Sequence, residues 1–240
     1  MFSVKILTAY PEMFPGNLAY SLIGKALEEK KFIIETIDLH NFGIDQRNSI
    51  DDEPFGGGPG MVLRADVVEK ALLSIQTNPK IRSKRIFLTP SGSTLDQQKL
   101  AVLSKFDELI ILCGRFEGVD QRAIDVLNFE EISIGDYILA GGEIAAQVLL
   151  EGCIRLIPGV LGQPKSLLEE SFSNELLEYP QYTRPQVWKD AQNVKHDVPE
   201  VLTSGNHERI KEWRNTKSVE KTKKIRPDLY KKKRAGMKND

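Results

Sequence analysis

The chain has little cysteine and histidine, which limits the metal and redox chemistry open to it. Its 240 residues include only two cysteines and three histidines. Cys113 and Cys153 lie in apolar surroundings without metal-like spacing, so buried thiols in a reducing cytoplasm are expected rather than a disulfide. His40, His196 and His207 are far apart, and none has a partner at ligand spacing. The sequence therefore predicts no metal site built on these side chains.

Long hydrophobic runs and the common nucleotide-binding loops are also absent. No apolar run approaches the roughly 20 residues that span a bilayer, and the first seven residues are too short and too quickly polar for a signal peptide. We therefore expect a cytoplasmic protein with no membrane partner. The chain has no Gly-Lys-Ser/Thr, and no Gly-x-Gly-x-x-Gly follows a strand. The Gly-x-Ser-x-Gly elbow of serine hydrolases is missing as well.

Net charge is close to zero, at 33 Lys and Arg against 34 Asp and Glu, but the charges are unevenly distributed. Residues 205–240 contain 13 Lys and Arg against five Asp and Glu, so the preceding 204 residues carry a balance of about −9. A basic terminal segment on a slightly acidic body favours a polyanionic partner. For the run Lys231–Arg234 alone, the alternative to a polyanion-binding surface is a helical face that is only solvated.

The first 160 residues alternate short apolar, β-branched segments with helical patterns. This alternation predicts an α/β fold in which a mostly parallel sheet has helices on both faces. The nearly all-apolar run Leu109–Leu112 fits a central strand covered on both faces. The predicted strands are Val4–Leu7, Ile33–Leu39, Arg85–Leu88, Glu108–Cys113 and Glu130–Ser133, and the predicted helices are Leu18–Lys30, Ala65–Ile75, Leu95–Ser104, Asp120–Val126 and Glu143–Leu150.

The character of the chain changes after Pro158. Residues 159–180 lack clear periodicity, and an irregular segment of this length is usually functional or disordered. From Thr183 to Lys224 the pattern is helical and charged. We expect a first domain at residues 1–160, a flexible linker at 161–180 and a small helical domain at 181–240.

Three predicted strand ends carry loops rich in glycine or proline: Leu88–Gly92, Leu112–Asp120 and Ser133–Glu143. Ligands of open α/β sheets bind at the carboxyl ends of strands, and glycine lets the backbone approach a ligand closely. For any one loop, a buried strand ending in a tight turn is the alternative. The convergence of three such loops favours a small-molecule site.

A further loop, Pro54–Met61, contains four glycines and two prolines, which force a loop of fixed shape. It is either a plain connecting turn or a loop that binds a ligand. Ordering three consecutive glycines costs conformational entropy on folding, and this cost favours a ligand-binding function over a plain turn. Carboxylates in or near loops are the remaining acid–base candidates, while Arg115 and Arg155 could orient an anionic or carbonyl group. These carboxylates are Asp51, Glu117, Asp136, Glu169 and Glu170.

Taken together, these motifs resemble those of the bacterial tRNA (guanine-N1)-methyltransferases, knotted enzymes of the SPOUT class. The resemblance runs in order from Leu7 to about Leu229 and so covers nearly the whole chain. The matching segments are Phe55–Met61, Leu112–Gly118, Ser133–Tyr137 with Leu139 and Gly141–Glu143, Ile157–Gly162, Tyr182–Pro185, and Leu202 with Ser204–His207.

The resemblance implies a parallel-sheet catalytic domain with a deep trefoil knot, an obligate homodimer with sites shared between subunits, and a helical C-terminal domain that binds tRNA. It also implies S-adenosylmethionine as methyl donor and N1 of guanine 37 of tRNA, just 3′ of the anticodon, as acceptor. The residues that it assigns to the cofactor are Leu88, Thr89, Pro90, Gly114, Glu117, Gly118, Ile134, Gly135, Asp136, Tyr137, Ile138, Leu139, Gly141 and Gly142.

By the same resemblance, Glu170 is the general base and Arg155 stabilises the charge that develops on guanine O6. The family has aspartate in an Asp-Ser-Phe sequence, whereas this chain has Glu170 before Ser171 and Phe172. Magnesium is suggested by the family, although no cluster of protein ligands is visible in the sequence. The residues expected to contact the substrate are Asp51, Gly58, Pro59 and Arg115.

Two other functions stay open at this point. One is a non-catalytic RNA-binding protein that keeps a cofactor fold, and the other is a methyltransferase that acts on a different RNA. Intact cofactor loops argue against the first, and the basic terminal segment argues against a small-molecule substrate.

Overall fold

The computed structural model describes residues 1–76, 78–161, 170–172 and 175–236. By contact density the chain divides into two compact units, Met1–Gly162 and Gln163–Asp240. Half of the linker expected at 161–180, including Glu169, lies outside the described residues, as does the end of the basic tail at 237–240.

Five parallel strands form the sheet of the first unit, and each overlaps one of the five predicted strands. They are β1 (Phe2–Thr8), β2 (Phe32–Asp38), β5 (Ser83–Thr94), β6 (Glu108–Cys113) and β7 (Glu130–Ser133), while β3 (Asp51–Asp52) and β4 (Val62–Leu63) form a separate antiparallel pair. The order across the sheet is β2-β1-β6-β5-β7. As predicted from its apolar run, β6 is central, and all six of its residues are buried.

The five predicted helices of this unit are also present, with shorter ends in four cases. They are α1 (Ser21–Glu28), α2 (Ala65–Leu73), α3 (Gln97–Leu103), α4 (Gln121–Val126) and α5 (Gly142–Ile154). Asp96 and Asp120 cap α3 and α4, because their carboxylates accept hydrogen bonds from the backbone N–H groups of Lys99 at 2.8 Å and Arg122 at 2.9 Å. Before α1 the chain forms a 3₁₀ helix at Gly16–Ala19, so the helix predicted from Leu18 begins only at Ser21.

Alternate residues of the central strands pack into two separate cores, one on each face of the sheet. Leu109 and Ile111 of β6 pack in the core that includes α3 and α5, whereas Ile110 and Leu112 pack in the core that includes α2 and α4. Successive strand side chains point to opposite faces, so a nearly all-apolar strand requires cover on both. The prediction of helices on both faces is confirmed.

The register of the sheet brings the ends of β6 and β7 and residue Leu88 of β5 to one edge. The prediction that β5 ends at Leu88 is wrong, because the strand continues to Thr94 with a register shift between Leu88 and Ser93, so the predicted loop Leu88–Gly92 lies within it. Leu7 of β1 lies opposite Leu112 of β6, and Leu88 of β5 lies opposite Cys113 of β6. On the other side of β5, Leu88 pairs with Ile132 of β7. The three glycine- and proline-containing segments therefore lie close to one another.

The described residues of the second unit, 170–172 and 175–236, form a short hairpin and three helices. Its elements are β8 (Val187–Lys189), β9 (Lys195–Asp197), α6 (Glu200–Thr203), α7 (His207–Ile225) and α8 (Pro227–Gly236). The prediction of a helical pattern from Thr183 is wrong for residues 187–197, because the Asp190 carboxylate accepts the backbone N–H groups of Gln192 and Val194 and closes a turn between the strands. Among the described residues, no helix is both long and apolar enough to cross a membrane.

Candidate functional site

A cleft of about 260 Å³ lies where the three loops meet at the carboxyl edge of the sheet. Its walls are mostly backbone and apolar side chains, the composition that small-molecule sites commonly have. Asp136, also assigned to the cofactor, is exposed and does not line this cleft. The other predicted cofactor residues all do: Leu88, Thr89, Pro90, Gly114, Glu117, Gly118, Ile134, Gly135, Tyr137, Ile138, Leu139, Gly141 and Gly142.

The loop after β7 has a conformation that depends on Gly135. Its φ of +146° is one that side-chain-bearing residues rarely adopt, and a Cβ there would lie 2.6 Å from Cε1 of Tyr137. The Ser133 hydroxyl accepts the N–H of Gly135 at 3.2 Å, and the N–H of Tyr137 donates to the carbonyl of Gly135 at 2.9 Å. Glycine is therefore required here by the loop itself, whether or not a ligand is bound.

The same loop is attached to the end of β6 by a backbone contact. Gly142, the first residue of α5, donates its N–H to the carbonyl of Gly114 at 2.9 Å. A Cβ on Gly142 would lie 2.9 Å from Cα of Cys113 and from N of Gly114. This close approach places the N-terminus of α5 beside the cleft, where its unpaired N–H groups and dipole favour polar or anionic ligand atoms.

Behind the cleft lies a buried charge pair that sequence reasoning did not identify. Glu143 is 0% exposed, and one of its carboxylate oxygens accepts a hydrogen bond from Thr8 Oγ1 at 2.8 Å. The other lies 2.9 Å from Nε of Arg115, whose side chain is 19% exposed. The N–H of that Nε is not aligned with the oxygen, so the contact is an ion pair rather than a good hydrogen bond.

Arg115, predicted to contact substrate, also touches two neighbouring segments. Its Cζ lies 4.3 Å from the ring centroid of Tyr10, within cation–π range. Nη1 donates to the carbonyl of Ala140 in the loop after β7 at 3.3 Å. The guanidinium therefore connects Tyr10 after β1, Glu143 at the start of α5, and the backbone of the cleft loop.

The glycine loop Pro54–Met61 adjoins the cleft through Glu117. The N–H of Glu117 donates to the carbonyl of Met61, and the N–H of Leu63 donates to the carbonyl of Gly118, both at 2.9 Å. A Cβ on Gly60 would overlap the Glu117 side chain. The end of the loop is therefore fixed against one wall of the cleft.

The tip of that loop is exposed to solvent. Gly58 has a φ of +128° with no atom within 4 Å of a Cβ added there, so it is required for its backbone conformation rather than for space. Pro59 is exposed beside it, and Phe55 is 99% exposed. Asp51 is half-buried in β3 opposite Leu63, at the base of the loop.

The two residues expected to carry the chemistry lie in different units. Arg155 directly follows α5 in the first unit and donates its backbone N–H to the carbonyl of Glu151 at 3.2 Å. Glu170 belongs to the second unit, where it borders a groove together with His207, Lys211 and Arg214. Glu178 lines the same groove, which therefore combines two carboxylates with these basic side chains.

Aromatic and basic side chains also meet elsewhere in the second unit. The rings of Tyr182 and Trp213 lie 6.2 Å apart, and Cζ of Arg214 lies 4.8 Å from the ring centroid of Tyr179. Within the described parts of the chain, no group of three or more His, Cys, Asp or Glu side chains could hold a metal ion.

Comparison with known proteins places these features in one family. Residues 2–232 match the family model described as tRNA (Guanine-1)-methyltransferase TrmD. A tRNA (guanine-N(1)-)-methyltransferase of Wolbachia pipientis subsp. Culex pipiens is 51% identical over 95% of this chain and 97% of its own length. One from Rhodospirillum rubrum is 49% identical over 94% of this chain and 91% of its own. One from Ehrlichia canis is 47% identical over 95% and 94%.

Proposed function

The chain belongs to the tRNA (guanine-1)-methyltransferase family, and on that premise we propose that it transfers a methyl group from S-adenosylmethionine to N1 of guanine 37 in tRNA. The observation that carries the proposal is the single cleft lined by all but one of the residues that the family resemblance assigns to the cofactor. The two alternative functions are not carried further, because relatives at about half identity are named as methyltransferases of tRNA guanine.

The residues of the cleft fit S-adenosylmethionine in kind. Leu88, Ile138 and Leu139 offer apolar surface for a purine, and the backbone of residues 134–142 offers donors and acceptors for its polar edges. Gly114 and Gly142 allow the cleft wall to pack closely, because a Cβ on Gly114 would lie 2.9 Å from the Phe87 ring and one on Gly142 would lie 2.9 Å from Cα of Cys113. When bound, the cofactor supplies an electrophilic methyl group on a sulfonium.

Glu170 accepts the proton of guanine N1 in this proposal. N1 of neutral guanine carries a proton and is a poor nucleophile. A base must therefore remove this proton as N1 attacks the methyl group. A free glutamate has a pKa of about 4.3 and is ionised at neutral pH. Arg155 stabilises the negative charge that develops on O6 in the transition state. In other enzymes, removing one donor of this kind raises the activation free energy by about 3 kcal/mol.

The target guanine is received between the glycine loop and the cleft. Glu117 lines the cleft and also binds the end of the loop through its N–H. Gly58 and Pro59 form the exposed tip, where a base can approach the backbone without a side chain in the way. Asp51 stands at the base of the same loop and completes the proposed substrate contacts.

A homodimer with sites shared between subunits is also part of the proposal, and an exposed apolar face of the first unit supports it. Ile144 and Val148 are 48% and 49% exposed and lie one turn apart on α5, a helix that is otherwise largely buried. Tyr20 and Leu22 are exposed beside the 3₁₀ helix that packs on α5. A second copy of the chain would cover these residues in an isologous interface.

The trefoil knot belongs to the proposal as well. β7 lies at the edge of the sheet next to β5, yet the chain that leaves it joins α5, whose first residue bonds Gly114 at the end of β6. The segment 134–141 therefore returns past the end of β5. A path of this kind is what threading through an earlier loop requires.

The second unit binds tRNA in this proposal, and the enzyme works in the cytoplasm, where it meets that substrate. Basic side chains of α7 neutralise phosphates and add affinity without sequence choice. Magnesium is not assigned a site, because the described residues contain no cluster of metal ligands. The proposed phosphate contacts are Lys211, Arg214, Lys217, Lys221, Lys223 and Lys224.

A methylation assay on paired tRNA transcripts tests the proposal. One transcript has guanine at position 37, and the other has adenine there with the rest unchanged. We expect methyl transfer from labelled S-adenosylmethionine to the first alone, with the product identified as N1-methylguanine by mass spectrometry of nucleosides. Equal methylation of both transcripts would point to a different target base, and methylation of neither would contradict the proposed activity.

A further inference from the structure

Glu143 is a fully buried carboxylate whose contacts come from distant parts of the chain. Thr8, which donates to it, lies at the end of β1 and is itself fully buried. The same threonine hydroxyl accepts the backbone N–H of Tyr10 at 3.0 Å. An ionised group in such a position is stable only when charge and hydrogen bonds compensate for lost water, and Arg115 supplies the opposite charge at 2.9 Å.

The cleft loop passes directly over this pair. Arg115 donates to the carbonyl of Ala140, and a Cβ on Gly141 would overlap its guanidinium and approach the carboxylate of Glu143 to 2.6 Å. Gly142 then bonds Gly114, the residue before Arg115. Residues 140–142 are thus fixed by two contacts. One is the hydrogen bond from Arg115 of the charge pair to Ala140, and the other is the backbone hydrogen bond from Gly142 to Gly114.

We propose that Thr8, Glu143 and Arg115 are positioning residues that hold residues 140–142 in the shape that binds the methyl donor. The inference rests on the proposed function for the identity of that ligand. It assigns the guanidinium of Arg115 to the loop rather than to the substrate. Tyr10 restricts the same guanidinium from its other side by stacking against it.

Three substitutions test the three residues, and those of Thr8 and Arg115 each have a conservative counterpart. Glu143→Gln keeps the shape of the side chain and removes its charge, Thr8→Val removes the donor, and Arg115→Met removes the cation. Hydrogen bonds to charged groups are strong enough that we expect each change to raise the Kd and KM for S-adenosylmethionine about 10- to 100-fold. Thr8→Ser and Arg115→Lys should recover most of the affinity.

Comparing kcat with the KM and Kd for S-adenosylmethionine distinguishes a positioning role of these residues from a catalytic or a purely structural one. At saturating S-adenosylmethionine, kcat should stay within about threefold of wild type, and the Kd for tRNA should not change. A fall in kcat without a change in KM would overturn the proposal. Unchanged Kd and KM in all three variants would overturn it as well.

Glu108→Gln is the matched control. Glu108 is another buried carboxylate of the first unit, only 3% exposed, and it pairs with Lys5 at 3.5 Å at the amino end of β6. Its loss should lower the melting temperature without changing the affinity for S-adenosylmethionine. An equal loss of affinity in this variant would show that general destabilisation, not the pair behind the cleft, is responsible.

Hydrogen–deuterium exchange of the protein without ligand separates this inference from the proposed function. Peptides that cover residues 134–142 should exchange faster in Glu143→Gln and Arg115→Met than in wild type or Glu108→Gln. This result can appear even if the wild-type protein fails to methylate tRNA, in which case only the proposed function fails. Unchanged protection in both variants would contradict the positioning role. If Glu143→Gln does not fold, Thr8→Val gives the same comparison.

Discussion

At the scale of single residues, the identity of residue 170 determines which side chain acts as the proposed general base. A glutamate stands where the family resemblance leads us to expect aspartate, so the carboxylate is one methylene farther from the backbone. A misplacement of about 1 Å can cost roughly 10²-fold in rate. The groove around Glu170 is bordered by the side chains of His207, Lys211 and Arg214 and by a second carboxylate, Glu178.

Glu170→Gln should lower the single-turnover rate of methyl transfer by roughly 10²-fold or more, because glutamine keeps the size and hydrogen bonding of the side chain but not its basicity. The Kd values for S-adenosylmethionine and tRNA should stay nearly unchanged. Rapid-quench kinetics with excess enzyme measures the rate. Glu169→Gln is the control and should have little effect. If the control is inactive while Glu170→Gln is active, the base has been assigned to the wrong glutamate.

The two cysteines give a second prediction at this scale. Burial raises the pKa of Cys153 to about 12, and burial together with the negative charge of Glu143 raises the pKa of Cys113 well above its usual value. Since the thiolate is the reacting form, neither thiol should react with a disulfide reagent at pH 8 in the folded protein. Both should react once guanidinium chloride unfolds it. Rapid reaction of either thiol before unfolding would contradict the burial.

The raised pKa of Cys153 also predicts a pH dependence of stability. The thiol of the unfolded chain ionises near pH 9, whereas the folded one stays protonated up to about pH 12. Its contribution to stability is therefore fully present below pH 9 and is lost as pH rises toward 12. Urea unfolding at pH 8 and pH 10 should show a smaller loss of stability in Cys153→Ala than in wild type.

At the scale of elements, α7 is a helix with little apolar surface. Of its 19 residues only Ser218 and Thr222 are buried, and Thr222 Oγ1 accepts the backbone N–H of Leu177 at 2.9 Å. Lys221 donates to the carbonyl of Glu178 at 3.1 Å. Polar contacts thus attach one side of the helix to its unit, and a helix that is polar all round is suited to a solvent-facing or charged interface.

Replacing Lys211, Lys223 and Lys224 of α7 with glutamine should weaken tRNA binding and flatten its salt dependence. All three side chains are exposed. Each lost phosphate contact reduces the slope of log K against log salt by about 0.7–0.9, so the total change should be about 2–3. Filter binding at several salt concentrations measures the slope. The matched triple Lys70→Gln, Lys80→Gln and Lys105→Gln, at exposed positions of the first unit, should leave it unchanged.

At the scale of the whole molecule, the first unit carries its own core and cleft but leaves apolar side chains on one face. Ile144 and Val148 occupy one side of α5, whose other sides are buried against the sheet and its neighbouring helices. Exposed apolar patches commonly mark interfaces between proteins. A second copy of this chain is the occupant that we propose for this face.

The double variant Ile144→Lys, Val148→Lys should be monomeric by light scattering and should lose methyl transfer, because charges in an apolar interface are costly. Its circular dichroism should match that of wild type. Val126→Lys is the control, since Val126 is also exposed but lies on α4, on the other face of the sheet. A double variant that stays dimeric would place the interface elsewhere.

Local patterns were sufficient to predict much of the first unit. The five strands and five helices follow from short apolar runs, helical periodicity and capping aspartates, which depend on neighbouring residues only. Glycine and proline after the strands predicted the loops, and the rule that ligands bind at strand carboxyl ends predicted that they would meet. The fourteen cofactor residues themselves came from the family resemblance, and thirteen of them line the cleft where these loops meet.

What local pattern could not predict was which distant side chains would pair. Thr8 and Glu143 are 135 positions apart, and neither belongs to a recognisable motif with the other, so only the order of strands brings them together beside Arg115. The hairpin of β8 and β9 was missed because its turn depends on the Asp190 side chain bonding to backbone N–H groups. The sequence by itself determined the elements and the location of the cleft, whereas the tertiary structure alone decided the buried charge pair behind it, because long-range contacts depend on topology.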